Sequence, residues 1–500
     1  MLKPAALFTD GAVLCRNKEI RVFGEADSGA GVEVTLLDRS GKVLAEAACR
    51  SDGRFLVSLS PQEAQTGCRL VIRCGGERAE AADVAIGEVF LAGGQSNMEL
   101  ELRNADEGPD IIRSYSDPLL RFFNVPKIAV EGPDHRKAND GTRWHAVAPG
   151  QGGENSAVAY FFAAKLRERM PEIPVGIIGC YWGGTSVTCW MEKKTLRTTA
   201  EGSRYLDEYA ARSGGITMEA WMEKDRVFWD TLNSWNSAVA EYQQAHPGAP
   251  WKEVEGACGP APWNPPPGPG SPFRPAGLAV TMVREVVPVT LTGILYYQGE
   301  EDADATDRYD ELMELLIRSW RELFREKSLP FLFVQLPMWL NWDAEDLRSW
   351  AKLRLAQAKA RDEMPGTGMV CLLDQGEYGN IHPTAKRPVG ERLAELAGAM
   401  LYGGGETSPR ALGKRAEGDT LAVCLSAPVK ARDGKAPNLL EIAGEDRVYV
   451  PAEAEIRGGT LLLKSGSISR PVYARYAWTD YSDEVNLFGE NGLPLEPFSL

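Results

Sequence analysis

The chain has 500 residues, 44% of them hydrophobic, and its 55 basic against 70 acidic side chains give a formal net charge of −15. A chain of this size is expected to form roughly two to four domains of about 150 residues around a large core. The acidic balance argues against nucleic acid or an anionic membrane surface as partner and favours a neutral or weakly charged substrate.

The first residues, Met1 to Asp10, break after a short apolar stretch and lack the apolar core and cleavage site of a secretory signal. No stretch approaches the ~18 consecutive apolar residues of a membrane span. The nine cysteines form an odd set with no Cys-x-x-Cys pair, and most lie in apolar runs. They read as reduced core residues, and the expected location is cytoplasmic.

From Ala12 to about Val84 short alternating strands, such as Ile20 to Gly24 and Val32 to Leu37, are separated by turn clusters such as Asp27-Ser28-Gly29. This predicts a β-rich segment over 1–85. The period then changes over 86–405, with compact apolar strands at 174–179, 293–297 and 331–334. Helices with apolar residues at helical spacing separate or follow them, over 157–170 and 307–326, the first preceded by Asn155 and Ser156 as caps. Strands alternating with helices predict an α/β domain built on a parallel sheet, whose chemistry collects at the carboxyl ends of strands.

The segment 192–275 breaks this rhythm with a tryptophan-rich helical portion and the proline run from Pro260 to Gly270, which reads as an insertion or lid. Alternating strands return over 406–500, for example at 460–464 and 472–476. Each terminal β-rich segment looks too short to bury both faces of its strands alone, which suggests that the two associate into one β-sandwich.

Ser96 lies in Gly93-Gly94-Gln95-Ser96-Asn97-Met98, directly after the apolar run Val89 to Ala92. That is where a nucleophilic serine would sit, and such a serine needs a base and fixed donors for the developing oxyanion. Only four histidines are available. His135 and His246 read as solvated and His145 has no partner pattern. His382 follows a predicted strand and precedes a helix that Pro383 is suited to start. Two further strands end in Trp182-Gly183-Gly184-Thr185 and Tyr297-Gln298-Gly299-Glu300, where a glycine N–H and a glutamine amide can approach a substrate oxygen.

Taken in chain order, Ser96, Gly183-Gly184, Gln298 and Ile381-His382-Pro383 resemble the blocks of the SGNH (GDSL-like) hydrolases and, among them, the sialate O-acetylesterase family of carbohydrate esterases. The likeness extends to Val389-Gly390-Glu391-Arg392-Leu393, Tyr476-Ala477-Trp478, Asn486-Leu487-Phe488 and Gly492-Leu493-Pro494, and so covers nearly the whole chain. It implies a flavodoxin-like three-layer catalytic domain over 86–405 and a serine esterase that removes acetyl groups from sugar hydroxyls. Ser96 would be the nucleophile and His382 the base, with Ser96 N–H, a Gly183 or Gly184 N–H and Gln298 forming the oxyanion hole. Gln95, Glu300 and Trp263 stand on the substrate side, Glu300 in a supporting role and Trp263 as a rim contact for a sugar ring.

The sequence departs from the common pattern at the triad acid, because Gly379 stands where an aspartate three residues before the histidine is expected. Either Asp374 reaches back, or a backbone carbonyl orients His382 in a Ser–His dyad. An unperturbed histidine would bring activity up near pH ~6.5. No metal cofactor is expected, since metal-ligand spacing is lacking. The expected partner is an acetylated sugar or oligosaccharide, with nucleic acid and membrane excluded. An SGNH lipase or thioesterase acting on longer acyl chains and a non-catalytic sugar-binding protein are the alternatives.

Overall fold

The computed structural model describes residues 1–263, 265–432 and 434–500. Asn264, inside the expected proline-rich loop, lies outside the described residues. The chain divides into two units, one of Met1–Trp235, Pro262–Gln298 and Leu312–Leu332, the other of Asn236–Ala261, Gly299–Glu311 and Phe333–Leu500.

In the first unit, the strands Leu2–Pro4, Ile20–Ala26 and Arg54–Leu59 form one antiparallel sheet. Gly31–Leu37, Val43–Arg50 and Gln65–Cys74 form part of a second. Period-2 alternation sets which face is buried: Val32, Val34 and Leu36 point inward while Gly31 and Glu33 are exposed. The next strand, β1 (Glu77–Gly94), starts antiparallel to Gln65–Cys74 and continues into the central sheet. The expected boundary at residue 85 therefore falls inside a single strand.

The distal half of β1 is buried on both faces, as a central parallel strand must be. It lies between β4 (Val175–Tyr181) and β5 (Gly293–Tyr297), both parallel to it. Beyond β4 come β2 (Asp117–Asn124), parallel to it, and the antiparallel edge strand β3 (His145–Val147). On the other side, Ile294 N–H donates to Pro330 C=O at 2.9 Å, bringing the start of β6 (Phe331–Val334) beside β5. Two of the helices in the α/β domain are α1 (Ser96–Glu99) and α2 (Ala157–Arg169). Ser156 caps α2 by accepting from Ala159 N–H at 3.1 Å, and Val158, Phe161 and Phe162 are buried on it. Each such side chain contributes about 1.5–3 kcal/mol of burial.

The insertion is helical, with Ala200–Ser213, Met218–Ala245 and Trp251–Cys258. Trp221 is 6% exposed and donates from Nε1 to Pro266 C=O at 3.0 Å, so it serves a local core.

In the second unit, β6 continues to Val334, and Gln335 N–H donates to Val370 C=O at 3.0 Å, at the end of β7 (Thr367–Val370). The carboxyl-terminal strands build their own antiparallel sheets. Leu421, Val423, Ile442, Leu461 and Tyr476 share one core with Cys371 and Leu373, just after β7. The strands of the amino-terminal segment fall into two sheets, and among the described residues no sheet mixes strands of the two terminal segments.

All nine cysteines are free, and six are buried. Burial pushes the Cys15 thiol up to about 11 and raises those of Cys180 and Cys371 as well, which suits inert core residues. Among the described residues no helix is long and apolar enough to cross a membrane.

Candidate active site

Parallel register brings three strand ends to one level. Gly94 of β1 is paired with Tyr181 of β4 and with Tyr297 of β5. Ser96, Gly183 and Gln298 follow within one or two residues, so they emerge along one carboxyl edge. A methyl group built on Gly183 would lie 3.2 Å from Ser96 Cβ, a tight contact that brings the two residues side by side. Ser96 is the first residue of α1, where a backbone N–H has no partner within the helix.

Glu99 lies three residues after Ser96 on the same turn and accepts the Gly183 N–H. Its other oxygen pairs with Lys127. Gly184 N–H has no acceptor among the described residues. The expectation that either glycine could donate thus narrows to Gly184, because a carboxylate already holds the other. The pattern could have revealed Glu99, since residues three apart share a helix face. Lys127 sits in a distant loop and carries no such signal.

Gln298 is 1% exposed and donates from Nε2 to Gln95 Oε1 and to Thr185 C=O, each at 3.2 Å. Both bonds are at the long end of the normal range. Gln95 is itself buried, so it supports the Gln298 amide. The Thr185 loop is held by its own hydroxyl, which donates to Trp182 C=O at 2.7 Å and accepts from Trp190 Nε1 at 3.1 Å. Trp263 is 43% exposed, with its ring against Gly184.

His382, Asp374 and Glu300 belong to the second unit. His382 lies in the segment after β7, where its N–H donates to Asn380 Oδ1 at 3.0 Å, and Asn380 Nδ2 donates to Glu377 at 2.7 Å. Although its side chain reaches solvent, the surrounding protein disfavours the imidazolium, and with Lys386 it lowers the His382 pKa to about 4. The helix after it is Arg387–Leu401, with Pro388 rather than Pro383 in its first turn. Glu300 is buried at the start of the 3-10 stretch Glu300–Arg308.

Both oxygens of Asp374 accept from Arg392, each at 2.7 Å, and one also accepts from Gln375 Nε2 at 3.0 Å. Arg392 thus holds Asp374 in a two-pronged clamp. Gly379 has a φ of +73°, and a Cβ there would overlap the Trp342 indole. An aspartate at 379 would therefore be mildly strained in backbone and would have to displace the Trp342 ring. Gly379→Asp is expected to destabilise the protein by about 2–4 kcal/mol, measured as a lower denaturant midpoint at constant slope. An unchanged midpoint would show that the loop adapts freely.

His135 is not solvated as expected. It lies on the helix Pro133–Gly141, is 5% exposed, and its Nε2 is 2.8 Å from Thr281 C=O. The charged neighbours in sequence occupy the outer face of that helix, which hid its buried one. His145 Nε2 lies 3.0 Å from Asn155 Oδ1, and His246 is exposed. Among the described residues there is no group of three or more His, Cys, Asp or Glu side chains placed to hold a metal ion.

Residues 274–398, which include Gln298 and His382, match the family described as carbohydrate esterase, sialic acid-specific acetylesterase. A sialate O-acetylesterase of Rattus norvegicus is 23% identical over 96% of this chain and 90% of its own length. That of Mus musculus is 24% identical over 83% and 77%. The crystal structure of a carbohydrate acetylesterase from Xanthomonas citri covers 99% of both chains at 29% identity with a TM-score of 0.76. The chain is thus similar along most of its length to sialate O-acetylesterases and to a carbohydrate acetylesterase, and residues 274–398 carry the pattern of the sialic acid-specific acetylesterase family.

Proposed function

We propose that this protein is a carbohydrate O-acetylesterase that works through a Ser96–His382 acyl-enzyme mechanism in an SGNH-type, flavodoxin-like domain. The parallel order β4-β1-β5, with β6 following, supports that fold reading. The observation that carries the functional reading is the common register that delivers Ser96, Gly183-Gly184 and Gln298 to one sheet edge. Ser96 Oγ attacks the acetyl carbonyl while His382 takes its proton and returns it to the departing sugar oxygen. Ser96 N–H and Gly184 N–H receive the oxyanion, and Gln298 joins them by exchanging one of its long bonds for a charge-assisted one.

With Asp374 clamped by Arg392, this reading makes the pair a dyad in which the aspartate serves the loop. The partner is an acetylated sugar or oligosaccharide, and the expected setting is cytoplasmic. Acetate release from a panel of acetylated sialic acids, xylo-oligosaccharides and manno-oligosaccharides tests the substrate class, and inertness toward all of them would overturn the reading. Gln298→Ala is expected to lower kcat by about 10²–10³ with KM nearly unchanged. A kcat within a few-fold of wild type would remove Gln298 from the oxyanion hole.

A further inference from the structure

The two glycines that follow β4 face unlike chemistry. Methyl groups built on them show what each meets. On Gly183 it would lie 3.2 Å from Ser96 Cβ and 3.3 Å from Glu99 Oε2, and Glu99 pairs with Lys127. This flank is charged. On Gly184 it would lie 2.5 Å from Trp263 Cζ2, 2.9 Å from Cη2 and 3.1 Å from Phe273 Cε1. This flank is made of ring carbons.

The ring wall is braced. Trp263 meets Phe273 edge-on at 5.6 Å between centroids and Phe228 at 6.3 Å, which fixes its position more firmly than its exposure suggests.

An ester carbonyl whose oxygen points at Gly184 N–H carries two other substituents, the sugar oxygen and the acyl chain. Sugar hydroxyls lose hydrogen bonds against an apolar wall, whereas a methyl group loses none and gains contact. We propose that Trp263 and Phe273 form the end wall of the acyl pocket and limit it to acetyl, with the sugar on the Glu99–Lys127 flank. This inference rests on the esterase reading above, with Ser96 as nucleophile.

The test is kcat/KM for nitrophenyl acetate, butanoate and hexanoate with wild type, Trp263→Ala and Phe273→Leu, alongside release of acetate from an acetylated oligosaccharide. The leaving group is constant, so the butanoate-to-acetate ratio reports the acyl side alone. Wild type is expected to prefer acetate, and Trp263→Ala to raise that ratio by about tenfold or more, in keeping with the 10- to 200-fold effect of one methylene in a shaped pocket. Phe273→Leu keeps the site apolar and is expected to shift the ratio the same way by a smaller factor. Ratios unchanged in both variants, with a raised KM for the oligosaccharide, would place Trp263 at the sugar and overturn the proposal while leaving the esterase reading intact. Wild type inert toward every ester, or hydrolysis that survives Ser96→Ala, would overturn the esterase reading and this inference with it.

Discussion

Ser96→Ala is expected to abolish acetate release, with kcat falling by about 10⁴- to 10⁶-fold, as when the nucleophile of a serine hydrolase is removed. The loss should be confined to kcat. In the proposed mechanism the hydroxyl contributes to the transition state, and the strand pairing that brings the site's strand ends together is made by backbone. Stability should be nearly untouched, because the residue at the cap of α1 is Gln95, not Ser96, so the substitution removes no helix cap. Acetate assays paired with a thermal melt check both halves of the expectation. A variant that keeps more than about a hundredth of wild-type kcat would be carried by the remaining donors alone, beyond what such residual catalysis supplies.

The sequence announced this serine because apolar runs bounded by glycines are a local signal, and the same signal located β4 and β5, while a compact apolar run located β6. Alternation likewise located Ile20–Ala26 and Gly31–Leu37. What escaped depends on distant parts of the chain. β2 begins with Asp117 and Pro118 and carries Arg121, so it lacks a clean period; it is a strand because β4 pairs with it. The continuity of β1 through residue 85 follows from its having different partners in its two halves.

At the site, Gln298 and the glycine pair were legible as strand ends, but who holds which N–H was not. Whether Gly183 or Gly184 remains open to a substrate turns on Glu99. The absence of an aspartate at 379 looked like a defect in the pattern. The Trp342 ring and the positive φ tie the glycine there to local packing, and Asp374, the nearest aspartate before His382, is engaged by Arg392.

His382→Ala is expected to lower kcat by about 10⁴- to 10⁶-fold, and the double variant with Ser96→Ala to lose no more than either single one, since residues acting as one unit are non-additive. Losses that multiplied instead would mean that the two residues act independently. The pH dependence separates a base from a residue that merely supports the loop. In the proposed mechanism neutral imidazole is the working form, and desolvation by the surrounding protein, with Lys386 nearby, lowers its pKa to about 4. In wild type, log kcat/KM should therefore fall by one per pH unit below about 4 and be level above about 5, where the ring is neutral. An acid limb near the ordinary ~6.5 would mean that the titrating base lies elsewhere or that His382 is freely solvated. The same shift affects stability with a definite sign. Between the unfolded value near ~6.5 and about 4 the unfolded chain binds a proton that folded His382 refuses, so this group's contribution to stability declines as the pH falls through that window. Below it both states are protonated and the contribution is constant. His382→Gln, which cannot titrate, should lose this part of the pH dependence of the unfolding midpoint while remaining inactive, and an unaltered midpoint profile would show that the folded histidine titrates as freely as the unfolded one.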